Sequence, residues 1–119
     1  MSFNPKISAA DQSSTSDGAV KELQVSAGPA RAYSITAYNG TDTDAYLLVF
    51  DAAAAPADGV GSKPKLVAPL YKRSNGGFDW KDGKIFTAGI YVCVSSTDVS
   101  KTLIGGNTAI IDATWRKQQ

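Results

Sequence analysis

Residues 31–39 (RAYSITAYN) alternate with a period of two, and this alternation constrains the fold more than any other feature of the chain. Tyr33, Ile35 and Ala37 fall on one side of an extended strand, with more polar residues between them on the other. A period of two is typical of a strand with one face buried, whereas a helix would spread these side chains around its axis. The segment therefore predicts a half-buried β-strand.

The rest of the chain repeats this theme in short segments separated by turn residues. Ten acidic residues are Asp and one is Glu, a bias towards turns and away from helices, and eleven Gly and five Pro interrupt the chain. Residues 45–51 (AYLLVFD) are almost continuously apolar, as in a central strand covered on both faces, whereas Pro69 indicates an edge or a bulge. Further strands are predicted within residues 20–26, 65–71, 77–83, 84–87, 90–96, 102–104 and 109–116. The predicted fold is all-β, a single antiparallel β-sandwich of the jelly-roll type.

The chain of 119 residues is long enough for one domain with its own core, and 43% of its residues are hydrophobic. Residues 1–18 stand apart because positions 8–18 (SAADQSSTSDG) are small and polar, without a hydrophobic period. We expect an extended N-terminal arm over residues 1–18 and the sandwich over residues 19–119. Within the arm, Phe3, Pro5 and Ile7 are candidate anchors for a partner.

Composition excludes several classes of function. The net charge of +1 argues against nucleic acid as a partner, and the absence of His removes the usual general base and metal ligand. A single Cys excludes a disulfide framework or a zinc knuckle within one chain. Residues 85–94 form the longest nearly apolar run, too short for a membrane helix, and the first residues do not resemble a signal peptide. We expect a protein made in a cytoplasm, with no enzymatic activity, cofactor, metal or membrane partner.

Four turn aspartates, in the patterns Asp42-x-Asp44 and Asp79-x-x-Asp82, are candidate calcium ligands. Calcium binds six to eight oxygens, and neither pair forms a complete loop motif. The favoured interpretation is that these carboxylates face solvent in turns, where Asp is common.

Asp51 and Asp112 each lie within an apolar segment and are the candidates for an acid–base couple. The alternative is a carboxylate on a sheet face, exposed or paired with a base such as Arg31 or Arg116, and we favour it. Cys93, between two valines, is predicted to be a packed thiol, because a nucleophilic cysteine would need a His that the chain lacks.

Phe78 and Trp80 lie in a Gly- and Lys-rich stretch (SNGGFDWKDGK) and form a candidate partner-binding site together with Lys81. Exposed aromatic rings in a loop can stack on sugars or anchor in a partner's pocket; the alternative is that they cover the open end of the sandwich. The region also carries local positive charge, suited to an acidic patch on another protein. Its basic residues are Lys72, Arg73, Lys81 and Lys84.

Five pieces of the chain, taken in order, carry a resemblance to a known group of proteins. They are residues 32–39 (AYSITAYN), 46–52 (YLLVFDA), 55–57 (APA), 86–97 (FTAGIYVCVSST) and 113–116 (ATWR). The set resembles small β-sandwich proteins encoded among the structural genes of tailed bacteriophages, and it spans about residues 31–116. The resemblance implies a virion component, such as a capsid decoration protein, and carries no established functional residues with it.

The leading hypothesis is therefore a phage virion structural protein, a capsid decoration or cement protein that binds the outer shell through its loops and N-terminal arm. Its partner would be the major capsid protein or another virion protein, with the chain oligomeric or multivalent in the assembly. The alternative is a carbohydrate- or receptor-binding sandwich of a head or tail fibre that uses Phe78, Trp80 and nearby Asp side chains. An enzyme ranks third.

Overall fold

The computed structural model describes residues 11–15, 18–59, 63–98, 101–104, 106 and 108–117, with the backbone alone for residues 11–15. Eight strands make up the fold of the described residues. They are β1 (Asp11–Thr15), β2 (Glu22–Ser26), β3 (Ala30–Asn39), β4 (Ala45–Asp51), β5 (Leu66–Leu70), β6 (Asn75–Phe86), β7 (Ile90–Ser95) and β8 (Ala109–Lys117). No helix long and apolar enough to cross a membrane occurs in the described part of the chain.

The strands form two four-stranded antiparallel sheets with the jelly-roll order. Sheet I runs β1-β8-β3-β6 and sheet II runs β2-β7-β4-β5. The chain behaves as one long hairpin with four nested strand pairs, β4–β5, β3–β6, β2–β7 and β1–β8, rolled up so that β3 also pairs with β8 and β4 with β7. The predicted all-β, jelly-roll-like sandwich is confirmed.

The core lies between the sheets and follows the alternation of the strands. In β8, Ala109, Ile111, Ala113 and Trp115 are buried while the residues between them are exposed. In β3 the predicted inward residues Ile35 and Ala37 are buried, whereas Tyr33, predicted on the same face, is half-buried at the register shift between Ala32 and Ser34. Alanines on these strands let the sheets approach closely, and larger side chains from sheet II fill the remaining space. Those larger side chains include Leu47, Val49, Leu70, Ile90, Val92 and Val94.

β4 and β7 are buried on both faces, as the apolar run of residues 45–51 predicts for β4. Leu47 and Val49 point into the core between the sheets, whereas Leu48 and Phe50 belong to a second cluster on the outer face of sheet II. All six residues of β7 are buried. Something other than sheet I must therefore cover sheet II from outside.

β6 differs from the prediction because the two strands predicted over residues 77–83 and 84–87 are one strand, which ends at Phe86. The register with β3 passes from Ser34↔Asp79 to Ala32↔Lys84, so residues 80–83 bulge out opposite a single residue of β3. The Nη1 atom of Arg31 donates a 2.8 Å hydrogen bond to the carbonyl oxygen of Asp82 and holds this excursion down. The Asp-Gly turn signal is real, but it marks a bulge within a strand.

Residues 102–104, predicted as a strand, make only an isolated bridge from Leu103 to Ser95. Conversely, the polar stretch of the expected arm contains β1, whose backbone pairs with β8 from Asp11↔Arg116 to Thr15↔Asp112. The polar sequence of residues 11–15 carries no hydrophobic pattern that would have predicted this pairing.

Asn39 ends β3 and organises the loop to β4 from a fully buried position. Its Nδ2 donates to the carbonyl oxygens of Thr43 (2.9 Å) and Leu70 (3.0 Å), and its Oδ1 accepts from the backbone N–H (2.9 Å) and the hydroxyl (2.7 Å) of Thr41. Four partners use the full capacity of the amide group. One side chain thus joins the β3–β4 loop to the end of β5.

Candidate functional site

The outer face of sheet II is covered by two loops of the chain itself. Leu48, Phe50, Tyr91 and Cys93 form a cluster there, each no more than 3% exposed, with Leu103 packed against it. The loops approach each other through a 2.8 Å hydrogen bond from the Gly59 backbone N–H to the Lys101 carbonyl oxygen. We call the described residues of these two loops, 52–59 and 96–98 with 101–104, the cover.

Lys101 fastens the cover from inside. Its side chain is only 5% exposed, and its Nζ lies 2.8 Å from the carbonyl oxygen of Pro56 and 3.1 Å from Oδ1 of Asp58. Oε1 of Glu22, on β2, is 3.7 Å away, and the ammonium group lies 5.1 Å from the centre of the Tyr91 ring. A buried ammonium ion needs such partners to offset its lost hydration. Lys101 therefore joins both loops to sheet II.

Burial makes the two reactive side chains beneath the cover inert. It raises the pKa of the Cys93 thiol to about 12, although the nearby Lys101 cation works in the opposite direction. The pKa of Tyr91 is raised as well, first by burial and then by the hydrogen bond of its hydroxyl to Glu22. The prediction that Cys93 is a packed thiol agrees with its full burial.

Cys93 is expected to react with an aromatic disulfide reagent at pH 8 at least about 100-fold more slowly in the native protein than in urea. Only the thiolate reacts, and both the high pKa and the cover suppress it. The release of coloured thiolate measures the rate, and because the chain has one Cys the signal belongs to one site. Equal rates in the two states would mean that the cover does not shield Cys93.

Asp51 is a structural carboxylate at the end of β4. It accepts hydrogen bonds from the backbone N–H groups of Thr87 (3.0 Å), Ala88 (2.8 Å) and Gly89 (3.3 Å), and from the Thr87 hydroxyl. Partial burial alone would raise the pKa of Asp51, but these hydrogen bonds outweigh it and lower the pKa below its ordinary value. The nearest cation is Lys65 at 3.9 Å, not the predicted Arg31 or Arg116.

Asp51 and Asp112 do not form an acid–base couple, since they lie in different sheets, on β4 and β8. Asp51→Asn is expected to cost about 2 kcal/mol of stability at pH 7 through its hydrogen bonds to a charged acceptor. Because the folded pKa is lowered, this stabilisation is present above the unfolded pKa and is lost as the pH falls through the folded pKa. Urea titrations of both proteins from pH 7 to pH 2 should therefore converge at low pH. A constant gap across this range would assign the loss to packing.

The four turn aspartates are not gathered at one place. Asp42 forms a 3.0 Å ion pair with Arg73, and Oδ1 of Asp44 accepts from the backbone N–H of Lys72 at 2.9 Å, so both hold the β3–β4 loop against the β5–β6 turn. Asp79 and Asp82 are exposed on β6. Among the described residues, no group of three or more His, Cys, Asp or Glu side chains is placed to hold a metal ion.

Phe78 and Trp80 lie together on the inner side of β6 and are half-buried. Their rings stack at a centroid distance of 5.5 Å with an interplanar angle of 5°, and both pack against the core. This arrangement favours the alternative that they cover the open flank of the sandwich. Lys81 lies in the bulge after Trp80 and is exposed. Phe3, Pro5 and Ile7 lie outside the described residues.

The four basic residues predicted to give this region positive charge extend from the turn before β6 to Lys84 near its end. Arg73 is paired with Asp42 in the turn before the strand, whereas Lys81 lies in the bulge of β6, eight residues further along the chain. Lys84 is half-buried. They do not make a single cationic patch.

An exposed apolar strip on the edge strand β5 was missed from the sequence. Val67 is 40% and Tyr71 61% exposed, and Pro69 between them is exposed as well, while the alternate residues Ala68 and Leu70 are buried. The period of two was present in the sequence, but the strand was noted only for its proline. The strip comprises Val67, Pro69 and Tyr71.

The strip continues the apolar outer face of sheet II beyond the cover. Tyr46 of β4 lies opposite Pro69 and is half-buried, and Leu48 lies opposite Val67 and is fully buried. At the other side of the cover, a cleft of about 450 Å³ is lined by Lys21, Asp58, Gly59, Lys101, Thr102, Leu103 and Ile104. Of the two lysines that line this cleft, Lys101 is paired with the Asp58 carboxylate.

No protein-family model matches the chain, and no curated protein matches it. Among solved structures, the chain is similar to two structures of the Tobacco streak virus coat protein, each with 9% sequence identity. One has a TM-score of 0.43 over 96% of this chain and 91% of the coat protein; the other, of the dimer, has a TM-score of 0.41 over 98% and 91%. A likeness this distant assigns neither a family nor a function.

Proposed function

We propose that the protein is a non-enzymatic structural component of a virion that attaches to the outer surface of the shell as a decoration or cement protein. The observation that carries this proposal is the apolar strip of Val67, Pro69 and Tyr71, which is exposed along β5 and at the residue that follows it. Exposed apolar side chains in a row favour a protein partner, here the major capsid protein or another virion protein.

The reactive side chains support the same function because they serve the fold. Asp51 binds a turn, Lys101 fastens the cover and Cys93 is fully buried. The resemblance of residues 31–116 to phage structural proteins points in the same direction. Jelly rolls serve both capsid and lectin domains, so the fold alone does not choose between these functions.

Attachment would work by shape-complementary contacts repeated over many copies. A strip of three side chains supplies a small interface, and a contact of this size is weak in isolation. Many copies on one particle convert weak contacts into stable attachment through high effective concentration. Loops at the ends of the sandwich and residues 1–18 would add to the contact area.

The test is to count copies of the protein on particles purified from cells that encode it. We expect tens to hundreds of copies per particle by quantitative mass spectrometry, and rebinding of tagged protein to particles stripped of it. Tyr71→Ser should weaken rebinding, whereas the control Thr36→Ser, at an exposed position of β3 in sheet I, should not. Absence from purified particles would overturn the proposal.

Glycan binding by the purified protein distinguishes the carbohydrate-binding alternative from the virion role. A glycan-binding sandwich should bind a glycan array as an isolated protein, through Phe78 and Trp80. The rings are stacked on each other and on the core, which leaves less aromatic surface for a sugar. Array binding abolished by Trp80→Ala, without any copies on particles, would favour this alternative.

A further inference from the structure

We infer that the strip formed by Val67, Pro69 and Tyr71 receives residues 3–7 of a second copy of this chain. Copies would thus join arm to strip around an assembly, a contact that rests on the proposed function and names one partner for it. The inference follows from the strip, from the sequence of the arm and from the distance between them.

The strip presents three side chains in a row at positions i, i+2 and i+4. Val67 and Pro69 project from the outer face of the edge strand β5, since Ala68 and Leu70 are buried in the core, and Tyr71 follows directly after the strand. No strand is paired with the free side of β5 among the described residues. The occupant that fits is an extended segment whose own apolar side chains repeat every second residue.

Residues 1–10 contain such a segment. Phe3, Pro5 and Ile7 also stand at positions i, i+2 and i+4, with polar Asn4 and Lys6 between them. An extended conformation would place the three on one side, matching the spacing along β5. Pro5 also restricts the backbone in advance and so lowers the entropy lost on docking.

The arm of the same chain cannot reach the strip. β1 and β6 are at opposite edges of sheet I, three strand spacings or about 14 Å apart. β6 packs closely against β5, since a Cβ added to Gly76 of β6 would lie 2.7 Å from the carbonyl oxygen of Pro69 on β5. The strip faces outward from sheet II, which adds a sheet separation of about 10 Å. Four residues from Ile7 to Asp11 span at most about 14 Å. The occupant must therefore come from another copy.

Charge does not oppose this contact. At the end of β5, Arg73 is paired with Asp42 at 3.0 Å, and the Asp44 carboxylate lies beside Lys72. Lys6 is the one charged side chain in residues 1–10. It would approach a surface that carries both signs of charge, with one cation, Arg73, paired with a carboxylate.

Disulfide trapping between two full-length chains tests the contact. One chain carries Ile7→Cys and the other Val67→Cys, with tags of different length so that the mixed product separates on a non-reducing gel. We expect the mixed dimer to form with at least a fivefold higher yield than with Thr36→Cys, an exposed control on β3 of sheet I. The buried Cys93 should contribute no product.

Two further variants complete the test. Tyr71→Ser, which removes an exposed ring without touching the core, should lower the yield of the mixed dimer. A single chain carrying both Ile7→Cys and Val67→Cys should cross-link between copies and not within one. Equal yields at positions 67 and 36, no mixed dimer, or an intrachain disulfide would each overturn the inference.

Failure here is distinguishable from failure of the proposed function. If the trap fails while the protein is still found on purified particles and Tyr71→Ser weakens rebinding, the strip binds a different virion protein and only the self-contact is wrong. If the trap succeeds while purified particles lack the protein, the virion role is wrong and the self-association remains.

Discussion

Asn39→Ala is expected to lower the free energy of unfolding by about 3 kcal/mol, since a buried polar group that loses its partner costs about 1–3 kcal/mol. The substitution removes the two hydrogen bonds that the Asn39 amide donates to the carbonyl oxygens of Leu70 and Thr43. It also removes the oxygen that accepts the Thr41 N–H. The Leu70 bond is fully buried, so water cannot readily replace it. Urea denaturation followed by tryptophan fluorescence measures the change.

Asn75→Ala provides the matched control. Asn75 is also an asparagine at the end of a strand, but it is exposed, and its removal should change stability by less than about 0.5 kcal/mol. Asn39→Asp should remain destabilising at pH 7, because a carboxylate would then face two carbonyl oxygens. If Asn39→Ala costs no more than Asn75→Ala, the amide does not hold the β3–β4 loop.

Lys101→Met is expected to loosen the cover and to speed native-state labelling of Cys93 by about 30-fold. Breaking a fully buried ion pair costs about 3–5 kcal/mol, but the side chains of Asp58 and Glu22 are 64% and 37% exposed, so about 2 kcal/mol is the appropriate expectation. Methionine retains most of the apolar stem over the Tyr91 ring. The labelling rate then reports the opening equilibrium of the cover.

Lys21→Met tests whether the loss of any positive charge at the cleft is enough to speed the labelling of Cys93. Lys21 lines the same cleft and is half-buried, yet it is not part of the Lys101–Asp58–Glu22 group. Its substitution should leave Cys93 protected. Similar acceleration in both variants would attribute the effect to net charge and remove Lys101 as the fastening residue.

The fold was accessible from the sequence because strand alternation and turn residues are local signals. The runs at residues 31–39 and 45–51 match β3 and β4 almost to the residue. β1 was not accessible, because its polar residues are held by backbone pairing with β8, about 100 residues later in the chain. A pairing of backbones leaves no trace in the hydrophobic pattern.

The candidate site was less accessible for the same reason. Lys101 reads as an ordinary loop lysine, and only the fold brings it to Asp58 and Glu22, 43 and 79 residues earlier in the chain. Asp51 stands out in the sequence because it lies within an apolar segment, but its partners in the turn after β6 are not predictable from spacing. The strip on β5 did carry a local signal, in the alternation of Val67, Pro69 and Tyr71.

The nested pairing of the strands also sets the order in which this protein can be built as it is synthesised. β1, β2 and β3 leave the ribosome first, but their nested partners are β8, β7 and β6, which are made last. Only the β4–β5 pair joins neighbouring strands in sequence, so we expect it to form first, because closing a short loop costs the least entropy. The first three strands would therefore remain unpaired until the second half of the chain is synthesised, and β1 would pair with β8 last.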